Sequence, residues 1–199
     1  VADFIPFLTL GLIIWSLMTV SINEGCTAFS DSEAMIKQIP LPIFTHILRV
    51  LWRNLIIFAH NLVIFPLILI AFGKPLTPTA FWAIPGIVLL VVNLSWMALI
   101  MGTLCARFRD IPQIVSNLLQ VSFYLTPIIW MPELLPERAS KMLLDVNPFF
   151  HLIEIVRAPL LGATPSLLNW LVALALAMAG WIGGLVFFGR FRSRIAYWL

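Results

Sequence analysis

Four carboxylates, Glu133, Glu137, Asp145 and Glu154, are the residues whose type could support acid–base or metal-assisted chemistry. Their setting argues for structure instead, because they stand near candidate helix caps and beside Arg138, Lys141 and Arg157 as ion-pair partners. His151, Glu154 and Arg157 recur at three-residue spacing, which puts them on one face of a helix and lets Glu154 pair with Arg157. A pair held only by mutual attraction tolerates exchange, so reversing both charges is expected to restore more function than either single change. Gly73 and Lys74 are followed by Pro75, and Ile68 stands where a phosphate-cradling loop needs its first glycine, so no nucleotide site is present there. Energy for any driven process must enter from another chain. Cys26 and Cys105 are too few and too isolated for a zinc site or a disulfide framework, and no metal site is expected.

The elements that must position these groups are membrane helices. Of the 199 residues, 61% are hydrophobic and 11% charged, against about 45–50% and about 25% in soluble domains. Water cannot solvate that excess, so the surrounding medium is lipid. The intervals 4–23, 54–73, 75–106, 111–132 and 158–189 carry no Asp, Glu, Lys or Arg. Each reaches the about 20 residues that a helix needs to cross a hydrocarbon layer about 30 Å thick. The expected fold is an all-α polytopic bundle with five spans, at roughly 4–23, 54–73, 82–105, 112–131 and 167–188. No span has a charged residue at its centre, where a proton relay would need one. His60, inside the second span, is expected to bond to a neighbouring helix.

Basic residues mark the cytoplasmic side. One side collects Lys37, Arg49, Arg53, Arg107, Arg109, Arg190, Arg192 and Arg194, while the cations of the other are diluted by acids. The C-terminus is therefore expected inside and Val1 outside. A chain that starts outside without an initiator Met reads as truncated, lacking at least one span. The net charge of +3 follows this topology pattern and not that of a nucleic-acid groove.

Between the first two spans, residues 24–53 form a cytoplasmic segment. Its Pro40 and Pro42 break helix and stiffen an elbow, because each removes an amide donor and extends its predecessor. Arg107, Phe108, Arg109 and Asp110 make a tight corner between the third and fourth spans. Residues 133–166 are too apolar for a free loop and too broken to span, so short re-entrant or interfacial helices are expected on the outer side. Asn147 can cap a helix that begins at Pro148, and Pro159 with Gly162 stop it. Trp15, Trp96, Phe123, Tyr124 and Trp130 are candidates for a sugar path, since pyranose faces stack on aromatic rings, although Trp and Tyr also form interfacial belts. Tyr124 lies past the midplane of its span and is expected to face protein or a water-filled path. Gly180 and Gly184, with Ala173 and Ala177, mark a close helix contact.

Arg107 to Ile111, then Leu125, Thr126, Pro127, Ile128 and Trp130, then Asn147, Pro148, His151, Glu154 and Arg157, then Arg194 to Leu199, occur in an order and spacing that resembles a known family. The chain is similar to the permease subunit of type-2 ABC transporters that export O-antigen, capsular polysaccharide or polyol phosphate across the bacterial inner membrane. The resemblance implies a single transmembrane domain over 1–199, part of a six-span permease that pairs with a second copy of itself. It implies two cytoplasmic ATPase subunits that carry ATP and Mg, with no cofactor on this chain. It implies a lipid-linked polysaccharide substrate passing between the permeases, contact with membrane lipids, and an N-terminal amphipathic helix and first span absent here. ATPase coupling falls to Lys37, Gln38, Pro40, Pro42, Phe44, Arg107, Arg109 and Asp110, and an outer gate helix to Asn147, Pro148, His151, Glu154 and Arg157. A type-2 exporter of drugs or lipids shares this architecture. An enzyme acting on lipid-linked sugars is the reading from a different class.

Overall fold

The computed structural model describes residues 3–38, 41–73, 75–132 and 144–199. Helices α1 (Phe4–Thr27), α2 (Glu33–Gln38), α3 (Phe44–Leu62), α4 (Ile64–Ala71), α5 (Ala83–Arg107), α6 (Ile111–Leu125), α7 (Pro148–Leu160) and α8 (Leu167–Trp198) follow one another, with no strand among the described residues. The protein is an all-α, polytopic membrane protein. Among the described residues four stretches, Phe4–Thr27, Phe44–Ala71, Pro78–Arg107 and Leu167–Trp198, are long and apolar enough to cross a bilayer.

The second of these begins at Phe44, ten residues before the expected start at 54. Its cations are accommodated along the helix: the Arg53 guanidinium reaches Glu24 at 2.7 Å, Asn54 donates to the same carboxylate at 2.8 Å, and Arg49 donates to Ser32 Oγ at 2.9 Å. Charges mark where the hydrocarbon ends and not where the helix does. The same holds for α8, which runs on through Arg190, Arg192 and Arg194. The break between α3 and α4 lies where Pro66 cannot donate to Leu62 and crowds its carbonyl.

The expected span over 112–131 is instead α6, which stops at Leu125 after about 22 Å of helix. Pro127 is the reason, since it drives Thr126 to extended geometry at ψ 137°. The following turn folds inward: Thr126 and Ile128 are fully buried. Ile128 lies so close to Gly11 that a Cβ there would stand 3.3 Å from its side chain.

Helix α1 is the hub, packed by α3, α5, α6 and α7. It meets α5 at Gly25, where a Cβ would lie 2.7 Å from Ala98 Cβ, and at Gly102, where a Cβ would lie 2.8 Å from the Gly25 carbonyl oxygen. Helices α5 and α8 form the other main contact. Gly180 accepts the Trp96 indole against its bare backbone, which gives the glycine expected to pack there its reason. Asn93 Nδ2 donates to Ala173 O at 3.1 Å, and Trp181 Nε1 to Val92 O at 3.2 Å. Among the described residues His60 bonds to no neighbouring helix; its Nδ1 lies 2.8 Å from Ile56 O of its own helix, and the ring sits on an exposed face.

Helix α7 does not lie flat on a surface. His151, Leu152, Ile153, Ile155, Val156, Arg157, Ala158 and Pro159 are buried against α1, α5 and α8, and Gly86 of α5 touches the Ile155 carbonyl so closely that no Cβ fits.

Candidate functional site

A groove of about 400 Å³ runs between α1 and α6, lined by Trp15, Thr19, Asn23, Ser116, Leu119, Gln120, Phe123 and Tyr124. Gln113, Asn117, Gln120 and Tyr124 recur every three or four residues, so they lie on one face of α6, and all four are exposed. Gln113 Nε2 donates to Asn117 Oδ1 at 3.1 Å, extending the hydrogen-bonding stripe toward the start of the helix. Amides in hydrocarbon cost free energy unless partnered, so this face meets water, protein or a polar ligand. Aromatics close the other end: Trp15 lies 5.9 Å from Phe123 and 5.5 Å from Phe149, and Phe123 lies 5.4 Å from Tyr124, as ring-centroid distances.

Of the candidate aromatics, Trp15, Phe123 and Tyr124 therefore come together. Trp130 joins them through its Nε1, which donates to the Tyr124 carbonyl at 3.2 Å and satisfies an end group of α6. Trp96 does not, being held between Gly180 and Asn93 Oδ1 in the α5–α8 contact. Tyr124 faces outward from the bundle, 60% exposed, on the lip of the groove. The polar stripe of α6 was not singled out from the sequence, although its spacing within an uncharged run was the available signal.

At the start of α7, Asn147 Oδ1 accepts from Phe149 N at 3.0 Å and from Phe150 N at 3.4 Å, with Pro148 in the first helical position. Its Nδ2 donates to Thr126 Oγ1 at 3.0 Å, tying the cap to the end of α6. Asn147→Ala is expected to cost about 1 kcal/mol and to lower the unfolding midpoint by about 2–4 °C. Asn147→Asp, which keeps the cap acceptor, should lose less; thermal unfolding by circular dichroism in detergent checks the order.

Arg157 is 1% exposed. Its Nη2 and Nε reach Glu154 Oε2 at 2.7 and 3.1 Å, its Nη1 donates to Pro127 O at 2.6 Å, and its guanidinium lies 3.9 Å from the Phe7 ring centroid. The pairing with Glu154 is as expected, but exchange of the two charges is now expected to fail, because the carbonyl and the π face both favour a cation. The two ring nitrogens of His151 lie 2.8 Å from Asn169 Oδ1 and 3.1 Å from Asp145 O, joining α7 to the start of α8. Among the acidic candidates, Glu154 is thus engaged by Arg157, Asp145 is exposed, and Glu133 and Glu137 lie outside the described residues.

The arginine-bearing end gathers α2, the α5–α6 corner and the end of α8. Lys37 Nζ pairs with Glu33 at 2.6 Å, and the hydrogen bond with its charge holds the Glu33 carboxyl below the usual range. Lys37, Gln38, Pro42, Arg107, Arg109 and Asp110 are exposed, and Pro40 lies outside the described residues. Phe44 turns away from that surface. It packs edge-on against Trp181 at 5.8 Å, in an apolar cleft of about 560 Å³ between α3, α5 and α8. Cys26 and Cys105 are buried neighbours where α1 and α5 converge, lining a cavity of about 380 Å³ with Ser30, Glu33, Arg109, Pro112, Trp198 and Leu199.

The fold is that of a polytopic, all-helical membrane protein, and residues 2–161 match the ABC-2 type transporter family, to which the chain belongs. It is similar to the O-antigen export system permease protein RfbA of Myxococcus xanthus, with 27% identity over 161 residues covering 79% of this chain and 61% of that protein. Two such permeases of Klebsiella pneumoniae are also similar, one 25% identical across 77% of this chain and 59% of the relative, the other 26% identical across 98% and 76%. The chain thus spans about three-fifths of the length of the first two.

Proposed function

We propose that the chain is the membrane-spanning subunit of an ATP-driven exporter that moves a lipid-linked polysaccharide of the O-antigen type across the bacterial inner membrane. The observation that carries this reading is the α1–α6 groove, where amide and hydroxyl side chains stand beside three aromatic rings. A sugar polymer presents both hydroxyl edges and apolar ring faces. Stacking on the exposed Tyr124 and on Phe123, with the buried Trp15 backing them, holds it without a rigid hydrogen-bond cage, so it can slide, while Asn23, Ser116 and Gln120 replace lost water. The names of the relatives in Myxococcus and Klebsiella support the same substrate class.

In this reading two copies of the permease flank the polymer and two cytoplasmic ATPase subunits, loaded with ATP and Mg, act on the arginine-bearing end. Lys37, Gln38, Pro42, Arg109 and Asp110 face the ATPase, and Arg157 with Asn147 holds the outer helix against the exit of the groove. Phe44 and Trp96 drop out of these roles because both are engaged in helix packing.

The test is surface polysaccharide in cells lacking their own permease and complemented at matched membrane levels. Tyr124→Phe keeps the stacking face and is expected to export like the parent, whereas Tyr124→Ala should export about fivefold less, the scale of one lost aromatic contact. Equal export by the Ala variant and the parent would remove Tyr124 from the path. Unchanged export after Gln113, Asn117 and Gln120 all become Leu would defeat the groove itself.

A further inference from the structure

We propose that the final turn of α8 is a positioning element for energy coupling, with Trp198 as the residue that ties the α2 elbow and the α5–α6 corner into one moving unit. The inference rests on the export reading above. Helix α8 holds 32 residues and is about 48 Å long, whereas about 20 residues suffice for the hydrocarbon. Its last two to three turns therefore project beyond the apolar layer, yet they are not solvated all round. Ile195 is fully buried, in the same core as Ala28, Phe29, Ile47 and Ala106, and Leu199 and Ile36 pack against that core.

Trp198 meets the end of α5 directly and shares a cavity with the starts of α2 and α6. The Arg107 guanidinium lies 5.4 Å from its ring centroid and 5.2 Å from that of Phe108, so the last residue of α5 and the corner after it are held to α8. Phe191, one face along, lies 5.7 Å from Trp198 and backs the indole. Trp198 and Leu199 form one wall of the cavity whose other walls are Ser30 and Glu33, where α2 begins, and Arg109 and Pro112, where α6 begins. Helix α2 itself packs on α8.

The geometry gives a path from the elbow to the groove. A push on α2 meets α8, which holds Arg107; the corner of Arg107 to Asp110 then leads directly into α6, whose exposed face carries Gln113, Asn117, Gln120 and Tyr124. Removing the indole frees α2 and the corner to move independently, so ATP is hydrolysed without moving α6.

The experiment uses the assembled permease–ATPase complex and compares Trp198→Ala and Trp198→Phe with the parent. ATP hydrolysis is measured on the purified complex, export as surface polysaccharide in complemented cells, and folding as the thermal unfolding midpoint. The Ala variant is expected to assemble and to hydrolyse ATP within about twofold of the parent while exporting about tenfold less. The Phe variant, which keeps a π face for Arg107, should recover most of that export. An Ala variant that exports per ATP as the parent does overturns the positioning role, as does loss of assembly that the Phe variant fails to recover. A parent complex that exports nothing overturns the export reading itself, so the two failures are distinguishable.

Discussion

Arg157→Ala is expected to be the most damaging single substitution in α7, lowering stability by about 3–5 kcal/mol. The guanidinium serves three elements at once: Glu154 on its own helix, the Pro127 carbonyl in the turn after α6, and the Phe7 ring at the start of α1. Truncation leaves a buried carbonyl without its donor, which costs about 1–3 kcal/mol by itself, and opens a cavity under α7. Arg157→Lys keeps the charge but cannot span a carboxylate and a carbonyl with one planar fork, so it should recover only part of the loss. The double exchange Glu154→Arg with Arg157→Glu should be no better than Arg157→Ala, because a carboxylate would then face the Pro127 oxygen and the negative face of Phe7. Unfolding midpoints of the purified variants test the order. A double exchange near the parent value would mean that Glu154 alone holds Arg157.

Gly25→Leu should separate α1 from α5 and cost at least the 1–3 kcal/mol typical of overpacked cores, with roughly the upper end expected here. The reason is that the obstruction includes backbone. A Cβ on Gly25 would stand 2.7 Å from Ala98 Cβ and 2.9 Å from Ala98 Cα. No rotamer relieves the second contact. Gly25→Ala is expected to lose less, and Ala98→Gly should return part of that loss by removing the nearer atom, a coupling that a double-mutant cycle reads directly. Additive effects of the two substitutions would show that the helices are not in contact there. Gly102 lies one turn along α5 from Ala98 and against the Gly25 carbonyl, so the damage is expected to spread to the buried Phe29 and Ile47 beside it.

These two sites differ in how far they could be read from the chain. Glu154 and Arg157 are three residues apart, and helical periodicity alone pairs them. Pro127 and Phe7 are distant in sequence, so the feature that makes Arg157 sensitive to charge exchange was invisible. Gly25 has Ser21 one turn before it on α1, a small-residue spacing that was not singled out from the sequence. Its partners Ala98 and Gly102 stand on another helix. The aromatics behaved likewise: Trp15 and Trp96 sit on helices that are apolar on every face, and such helices carry no asymmetry to say which side looks into a groove.

By itself the sequence determined the medium, the all-helical fold and the Asn147–Pro148 start of α7. Each follows from the free energy of transferring residues to lipid or from backbone restrictions acting over a few bonds. The early end of α6 was also available, in Pro127, but the length of the uncharged run concealed it. Only the tertiary structure decided that the turn after α6 plunges into the bundle, that α7 is buried and not interfacial, that Trp96 belongs to packing while Trp15 borders the groove, and that α8 ends against Arg107. Within lipid, hydrophobicity no longer distinguishes inside from outside. Close backbone approach and hydrogen bonds between distant residues then choose the partners, and those appear only when the helices are assembled.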